Sequence, residues 1–389
     1  MKYDFETLAN RREQGSVKYR KTFMEFPNLP SDTIPLSTAD MEFKNPPEMV
    51  EGLKKFLDDM VLGYTEANEG FKEALKSWLK RVHDFEVKDE WMVNNTAVVP
   101  AIFNAVKSLT NEGDGVIVMS PVYFPFFSAV TSQGRKLVDA PLIEKDNRFY
   151  IDFEKFEELA KKKENKVILF CSPHNPVTRV WTREELERLE KIILENDLYL
   201  ISDEIHSDII MPGHKHIVFQ TISDDLADRT ITFTSASKTF NLAGMGVSTT
   251  IIKNPELRNK FIEAVMSVQS YANSALGFKA AEICYNECEE WMNQFIQKIV
   301  ENQNVLMDEL KETKIKFVKP EGTYLMFLDF RAYDITREER EKTLAEDCAV
   351  IFDHGHKFGE VADGFERINL AAPTEVIRDA ARRLKKYFN

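Results

Sequence analysis

The chain has 389 residues, of which 43% are hydrophobic and 30% charged, a composition typical of a soluble globular protein and not of a disordered or fibrous one. This length indicates two or three domains, or one large domain with an appendage. Lys and Arg number 51 against 64 Asp and Glu, and the resulting net charge of -13 argues against nucleic acid as a main partner.

The N-terminus and the cysteines indicate the compartment. Residues 1–14 are charged throughout and contain no apolar signal core. The longest uncharged run, residues 115–134, contains prolines and polar residues, which argues against a membrane span. The four cysteines match no paired CxxC spacing, so we expect reduced thiols and a cytoplasmic protein. Cys284 and Cys288 could share a helix face, but ordinary burial is favoured over a metal or redox role.

In chain order, the first elements are a segment without a strong hydrophobic period and then three helices. Residues 1–47 are predicted to pack against a small domain or a neighbouring subunit. Residues 48–59 and 68–82 have the spacing of amphipathic helices, and an apolar stripe from Val98 to Leu109 predicts a third.

Short apolar runs then alternate with helical patterns. Thr182 and Glu185 form a capping box that predicts a helix over 182–197. The alternation predicts an α/β fold with a largely parallel sheet covered by helices on both faces, in a large domain over 48–282. The predicted strands are 115–119, 136–143, 167–171, 199–203, 230–235 and 247–252.

After about residue 277 the pattern changes and predicts a smaller α+β domain over 283–389. A long helical stretch comes first, and a helix over 374–387 closes the chain. Between them lie predicted strands at 315–319, 323–330 and 366–372 and a helix at 336–347.

Polar side chains follow four of the predicted strands, where ligands of an open parallel sheet bind. Tyr123, Asn175, Asp203 and Lys238 each come after an apolar run. Taken alone, Tyr123 is more typical of core packing and Asn175 of a turn, and Asp203 could equally cap or pair. Lys238 differs, because a lysine between apolar segments is desolvated and therefore a good nucleophile toward carbonyl compounds.

The combination of an amine, a carboxylate and an aromatic ring is what pyridoxal-phosphate chemistry requires. Ser235 and Ser237 flank the lysine, and the N–H groups of residues 96–98, where a helix begins, would form an anion site. Arg367 offers a planar fork suited to an amino-acid carboxylate, although a surface ion pair is an equally good interpretation of this residue alone.

Six segments, in order, resemble one enzyme family. The chain is similar to the fold-type I pyridoxal-phosphate enzymes of the class I/II aminotransferase superfamily, specifically to the MalY/PatB-type cystathionine β-lyases, which include cystalysin. The similarity extends from about Tyr3 to the C-terminus. It is carried by PVYFPFF, CSPHNPVTRVW, ISDEIHSDI, SASKTFNLAG, EGTYLMFLDF and GFERIN.

The resemblance implies roles for residues at matching positions. Lys238 would attach the cofactor, Asp203 would pair with its pyridine nitrogen, and Tyr123 would stack on its ring. Asn175 would bond the cofactor's 3-oxygen and approach the substrate carboxylate. His206 stands where related aminotransferases usually have a tyrosine.

Further roles concern the phosphate and the substrate. Arg367 would bind the substrate carboxylate. Tyr64 would reach the phosphate of a neighbouring subunit in a homodimer with shared sites. The remaining phosphate contacts would come from Ser235, Ser237 and the amides of Ala97 and Val98.

Three positions depart from the family's usual pattern. Thr178 and Ala97 stand where glycine is usual, and Ser37–Thr38 replace larger residues. None of them removes a catalytic group. They put substrate preference and cofactor affinity in doubt, and Thr178 and Ser37–Thr38 are expected near the mouth of the pocket.

The implied activity is β-elimination of L-cystathionine or related L-cysteine S-conjugates to a thiol, pyruvate and ammonia. The alternative is a class I/II aminotransferase. The DEIH motif and Gly246, where aminotransferases commonly place an arginine, favour the lyase.

Two hypotheses from other classes stay open at this point. DEIHSD with the His-x-His pairs at 214–216 and 354–356 could supply ligands of a metal hydrolase, although no HExxH motif accompanies them. A catalytically silent protein that keeps the fold and binds partners is a third hypothesis.

Overall fold

The computed structural model describes residues 1–389 and contains fourteen α-helices. None of them has both the length and the apolar composition needed to cross a bilayer. The helices are α1 Val17–Glu25, α2 Pro47–Asp59, α3 Glu69–His83, α4 Val98–Leu109, α5 Pro125–Thr131, α6 Phe153–Ala160, α7 Arg183–Glu195, α8 Asp224–Ala227, α9 Ala236–Thr239, α10 Pro255–Ser267, α11 Ala275–Glu287, α12 Glu289–Leu310, α13 Arg337–Lys342 and α14 Thr374–Tyr387.

Fifteen strands form two main sheets, a hairpin and a short pair. They are β1 Ile34–Pro35, β2 Met92–Asn95, β3 Gly115–Val118, β4 Lys136–Asp139, β5 Ile143–Lys145, β6 Arg148–Tyr150, β7 Asn165–Cys171, β8 Tyr199–Asp203, β9 Thr230–Thr234, β10 Ser248–Ile251, β11 Lys316–Val318, β12 Leu325–Asp329, β13 Val350–Ile351, β14 Asp353–His354 and β15 Phe365–Asn369.

The large sheet has seven strands in the order β2-β10-β9-β8-β7-β3-β4. The neighbours from β9 to β4 pair in parallel, whereas β10 is antiparallel to both β2 and β9. Ile168 belongs to one apolar core and its neighbours Val167 and Leu169 to another, as expected for a strand buried on both faces. The predicted α/β class is confirmed.

Two predicted elements are wrong in their extent. The strand predicted over 136–143 is divided: β4 joins the large sheet, and β5 starts a separate hairpin with β6 beyond Pro141. The long helical stretch is two helices, because Cys288 is both the C-cap residue of α11 and the N-cap residue of α12. The predicted capping box of Thr182 and Glu185 is confirmed at the start of α7.

The second sheet is antiparallel, in the order β11-β12-β15-β14. One apolar core contains Phe5, Trp78, Phe240 and Trp291, which come from all three predicted sequence ranges. Packing is therefore continuous across residues 47 and 282, and the domain limits 1–47, 48–282 and 283–389 stay predictions.

The N-terminal segment packs against the C-terminal part of the same chain. β1 pairs in parallel with β13, Ile34 opposite Val350. The ring of Phe5 lies 5.3 Å from that of Trp291. These contacts bring residues 34–41 across the carboxyl ends of the large sheet.

Candidate active site

A cavity of about 270 Å³ lies beyond the carboxyl ends of the strands of the large sheet. It brings together residues that are far apart in the sequence, as expected for an open α/β sheet. Ten of the eleven predicted site residues line it: Ala97, Val98, Tyr123, Asn175, Asp203, His206, Ser235, Ser237, Lys238 and Arg367.

Asp203 and Lys238 place a carboxyl and an amine in this cavity. Asp203 is the last residue of β8, where its Oδ1 accepts the N–H of Ile205 at 3.2 Å. Burial raises the pKa of Asp203 to about 7. Lys238 lies on α9, one short turn beyond β9, and burial lowers its pKa to about 8. Both groups therefore titrate near neutral pH.

The amine of Lys238 has one hydrogen-bond partner, the carbonyl oxygen of Ala39. Lys238 Nζ donates to this oxygen at 2.6 Å, and Tyr324 Oη donates to it at 2.8 Å. Asn369 Nδ2 donates to the carbonyl oxygens on either side, those of Thr38 at 2.7 Å and Asp40 at 2.6 Å. Sequence reasoning missed Ala39, because a backbone carbonyl leaves no signal in residue type.

Two helix starts supply hydrogen-bond donors at another part of the cavity. Ala97 is the N-cap residue of α4, so the first free N–H groups of this helix, from Val98 on, lie at the cavity. Ser235 caps α9, where its Oγ accepts the N–H of Ser237 at 3.1 Å. The φ of Ala97 is -166°, an extended conformation open to any residue, so alanine in place of glycine costs no backbone strain here.

The side chains of Tyr123 and His206 are largely enclosed. Burial raises the pKa of Tyr123 to about 12, and its ring lies 6.1 Å from that of Phe126. Burial, with the nearby charges of Lys238 and Arg367, lowers the pKa of His206 well below the ordinary histidine value. His206 is therefore neutral, and its buried Nδ1 has no hydrogen-bond partner in the chain.

Arg367 is buried and held on two sides. Its Nη1 donates to Asn175 Oδ1 at 2.7 Å, and its Nη2 donates to Asp353 Oδ2 at 2.5 Å. The guanidinium carbon lies 4.7 Å from the centre of the Phe358 ring. Its buried Nε has no partner. The carboxylate of Asp353 thus orients the guanidinium group of Arg367.

Asp353 was missed by sequence reasoning. It lies on β14 directly opposite Arg367 on β15, and its Oδ2 also accepts the N–H of Thr38 at 2.8 Å. Burial alone would raise the pKa of Asp353, but the charge and hydrogen bond of Arg367 lower it below the ordinary value. A prediction of the two-residue strand β14 would have revealed this pair.

Tyr64 does not line the cavity of its own chain. It lies between α2 and α3 and is 98% exposed, as are large parts of Val61 and Leu62. Its contact with a neighbouring subunit stays a prediction.

The positions that depart from the family pattern lie in different surroundings. Thr178 is fully buried and does not line the cavity, so its expected place near the pocket mouth is wrong. Its φ is +60°, in the left-handed region, and its hydroxyl has no partner. Thr38, by contrast, lines the cavity, and the neighbouring Ser37 is buried.

The histidines of the metal hypothesis do not converge on one point. Residues 214–216 form no strand: His214 is exposed, and His216 Nε2 lies 2.7 Å from Glu204 Oε2. His354 Nδ1 lies 2.8 Å from Glu366 Oε2. His216 and His354 are thus each paired with a different carboxylate, and His206 has none.

The cavity fits pyridoxal phosphate on three observations. The free backbone N–H groups at the N-termini of α4 and α9 are suited to bind a phosphate. The destabilised carboxylate of Asp203 suits a cationic ring nitrogen, and the weakly basic amine of Lys238 suits covalent attachment. The unpartnered Nδ1 of His206 leaves one more polar atom for a ligand.

Comparisons with known proteins agree with this geometry. The family model "Aminotransferase class I and II" matches residues 31–384. The chain is 36% identical to cystathionine β-lyase PatB of Bacillus subtilis over 98% of this chain and 99% of that protein.

Two solved structures are similar over nearly their whole length. Cystalysin from Treponema denticola, which contains a pyridoxal 5′-phosphate cofactor, superposes with a TM-score of 0.97 and 48% identity, over 99% of this chain and 98% of that one. The C-S lyase of Staphylococcus hominis, bound to pyridoxal phosphate and L-cycloserine, superposes with a TM-score of 0.93 and 30% identity. The similarity covers 100% of this chain and 99% of that one.

Proposed function

The chain belongs to the aminotransferase class I and II family, and we propose that within it the protein is a pyridoxal-phosphate-dependent carbon–sulfur β-lyase. It converts L-cystathionine or related L-cysteine S-conjugates, with water, into a thiol, pyruvate and ammonia. The observation that carries the proposal is the meeting of Lys238, Asp203 and Arg367 in one cavity of a chain similar to such lyases from end to end.

When bound, pyridoxal phosphate supplies an acceptor for the electron pair left on the substrate's α-carbon. Asp203 would hold the protonated ring nitrogen, because a cationic partner stabilises the carboxylate that burial disfavours. Tyr123 would lie on the ring, and Asn175 and the neutral His206 beside it. The phosphate would be held by Ser235, Ser237 and the amides of Ala97 and Val98.

Lys238 moves the proton. With a pKa of about 8, a useful fraction of its side chain is the neutral amine near neutral pH, so Nζ can accept the substrate's α-proton. The carbonyl oxygen of Ala39 holds this nitrogen in the cavity through a 2.6 Å hydrogen bond. Lys238 therefore acts as the general base.

Arg367 and Asn175 bind the substrate carboxylate. Asn175 accepts from Arg367 through Oδ1, which leaves its Nδ2 without a partner in the chain and free to donate. The buried Nε of Arg367 is a second free donor. A charge-assisted fork at this point orients the amino acid before elimination.

Lyase activity is favoured over transamination by the lyase relatives and by Gly246. This residue has a φ of +65°, which suits glycine and would strain the arginine that aminotransferases commonly place there. An aminotransferase remains the alternative that the experiment below must separate.

We also infer a cytoplasmic homodimer. Tyr64, Val61 and Leu62 form a strongly exposed apolar stretch, which a second copy would cover while Tyr64 reaches its phosphate. All four cysteines are unpaired, as is usual in a reducing compartment.

The test is pyruvate release from L-cystathionine by the purified protein with added pyridoxal phosphate, followed together with the visible spectrum. Stoichiometric pyruvate and thiol are expected, with the cofactor spectrum restored at the end. Conversion to the pyridoxamine form without pyruvate, reversed by a keto acid, would establish transamination instead. Protein without added cofactor serves as the control.

A further inference from the structure

Two side chains of opposite charge line the same cavity as Lys238 but have been given no direct contact with the substrate or the cofactor above. They are Lys21, on α1, and Asp353, on β14. The following inference rests on the proposed function and concerns the thiol half of the substrate.

Asp353 presents one carboxylate oxygen that is not used by the chain. Its Oδ2 accepts from both Arg367 and Thr38, whereas its Oδ1 makes no hydrogen bond. The side chain is 20% exposed, at the cavity. Because Arg367 and Thr38 fix the carboxylate, its free oxygen is a preorganised acceptor for a cationic donor.

Lys21 is placed at the cavity by the way α1 is anchored. Lys18, Tyr19 and Thr22 are the buried face of this helix, and Lys18 Nζ lies 2.7 Å from Glu42 Oε1. Val17 and Lys21, one turn apart on another face, both line the cavity. The side chain of Lys21 is exposed and has no acidic group within ion-pair distance, so its ammonium is free to meet an anion.

We propose that Lys21 and Asp353 are the specificity-determining residues for the leaving thiol. A cation and an anion beside the same cavity are complementary to a group that carries both charges, an α-amino acid. Lys21 binds the carboxylate of the leaving group and Asp353 its ammonium. The enzyme therefore prefers thioethers whose two halves are both amino acids over cysteine conjugates with an uncharged thiol.

Four substrates of equal chain length test the two charges separately. L-Cystathionine carries both, S-(3-carboxypropyl)-L-cysteine only the carboxylate, S-(3-aminopropyl)-L-cysteine only the ammonium, and S-propyl-L-cysteine neither. The measured quantity is kcat/KM for pyruvate release, expressed for each charged substrate relative to S-propyl-L-cysteine. Effects of a variant on folding, on the cofactor or on Arg367 are common to all four and cancel in this ratio.

Lys21→Met is expected to lower the ratio for the two carboxylate-bearing substrates about two- to fivefold, the size expected of an exposed ion pair, with no loss for the aminopropyl compound. Asp353→Asn is expected to lower the ratio for the two ammonium-bearing substrates about tenfold, because this oxygen is fixed and partly buried. Lys357, exposed near Asp353 but outside the cavity lining, supplies the control Lys357→Met, which should leave every ratio unchanged.

Ratios that stay unchanged in both variants, or that change equally in Lys357→Met, would overturn the assignment. This failure is distinct from failure of the proposed function. If S-propyl-L-cysteine still yields pyruvate, the lyase stands and only the subsite is lost. If none of the four substrates yields pyruvate in the wild-type enzyme, the proposed function itself is wrong.

Discussion

Two lysines donate to adjacent carbonyl oxygens of the same stretch of backbone. Lys18 Nζ lies 2.9 Å from Asp40 Oδ1 and 2.7 Å from Glu42 Oε1, and donates to the carbonyl oxygen of Asp40 at 3.1 Å. Lys238 Nζ donates only to the adjacent carbonyl oxygen, that of Ala39. Lys18 is fully buried and Lys238 is half-buried at the cavity, and only Lys18 meets carboxylates at ion-pair distance.

The difference shows what separates an anchoring lysine from a reactive one. Burial penalises an ammonium, and two carboxylates can compensate the penalty whereas a single carbonyl cannot. Lys18 therefore fixes α1 to residues 40–42. Lys238 keeps a pKa of about 8 and an amine available for chemistry. The partners of each amine thus distinguish the anchoring lysine from the reactive one.

The largest effect is expected when Lys238, the lysine without a carboxylate partner, is replaced. Lys238→Ala should reduce pyruvate release below detection and abolish the visible absorbance of covalently bound cofactor, because the amine that attaches the cofactor and accepts the α-proton is removed. The protein should stay folded, since one buried amine with a single hydrogen bond is lost. Steady-state elimination by this variant would contradict the assignment.

Asp203→Asn should lower kcat roughly 10³-fold, the scale found when one preorganised electrostatic partner is deleted. The amide keeps the shape of the carboxylate but cannot stabilise a protonated ring nitrogen. Near-normal turnover would remove Asp203 from the proposed mechanism.

The same variant gives a pH test in the cofactor-free protein. Burial raises the folded-state pKa of Asp203 from 3.8 to about 7, so the folded state holds a proton that the unfolded state has lost. Stability from this group therefore falls as the pH rises from about 4 to about 7. Urea unfolding should show a steeper loss in this window for the wild-type protein than for Asp203→Asn, and equal slopes would refute the shifted pKa.

Lys18→Met should act on stability instead of chemistry. Removing one member of a buried ion cluster leaves Arg11 as the one cation paired with Asp40 and Glu42, and we expect a loss of about 3 kcal/mol in the free energy of unfolding. The neighbouring exposed lysine gives the control, because Lys21→Met should change stability by less than about 0.5 kcal/mol. A Lys18 variant that loses turnover but no stability would erase the contrast between the two lysines.

The smallest effect is expected at Tyr324. Tyr324→Phe removes the second donor to the carbonyl oxygen of Ala39 and should cost about 1 kcal/mol of stability. Turnover should change by only a few fold, because Lys238 keeps its acceptor. A loss of kcat as large as that of Asp203→Asn would give the Tyr324 hydroxyl a part in the reaction.

Much of the site could be predicted because it follows from strong local patterns. β8 and β9 are short, almost fully buried strands; Asp203 is the last residue of β8, and Lys238 lies shortly beyond the end of β9. The α/β class, the pyridoxal phosphate and the carbon–sulfur lyase assignment from the ordered motifs are confirmed.

The rest depended on contacts that carry no local pattern. β14 has two residues, too few for a period, so the pairing of Asp353 with Arg367 could not be predicted. The acceptor at Ala39 is a backbone oxygen set in place by Asn369, far along the chain. Residues 136–143 form two strands because Ile143 pairs with Tyr150 in a separate hairpin beyond Pro141. Strand propensity does not reveal such a change of pairing partner.

The pairing of β1 with β13 has a consequence for the order of assembly. Residues 34–41 reach their position only when Ile34 meets Val350 and Asn369 binds the carbonyl oxygens around Ala39. During synthesis Val350 and Asn369 leave the ribosome after Lys238, so Lys238 emerges before its acceptor is in place. Contacts of such long sequence separation form late and slowly. A nascent chain therefore has an open, incomplete cofactor pocket until residues 350–369 pack against residues 34–41.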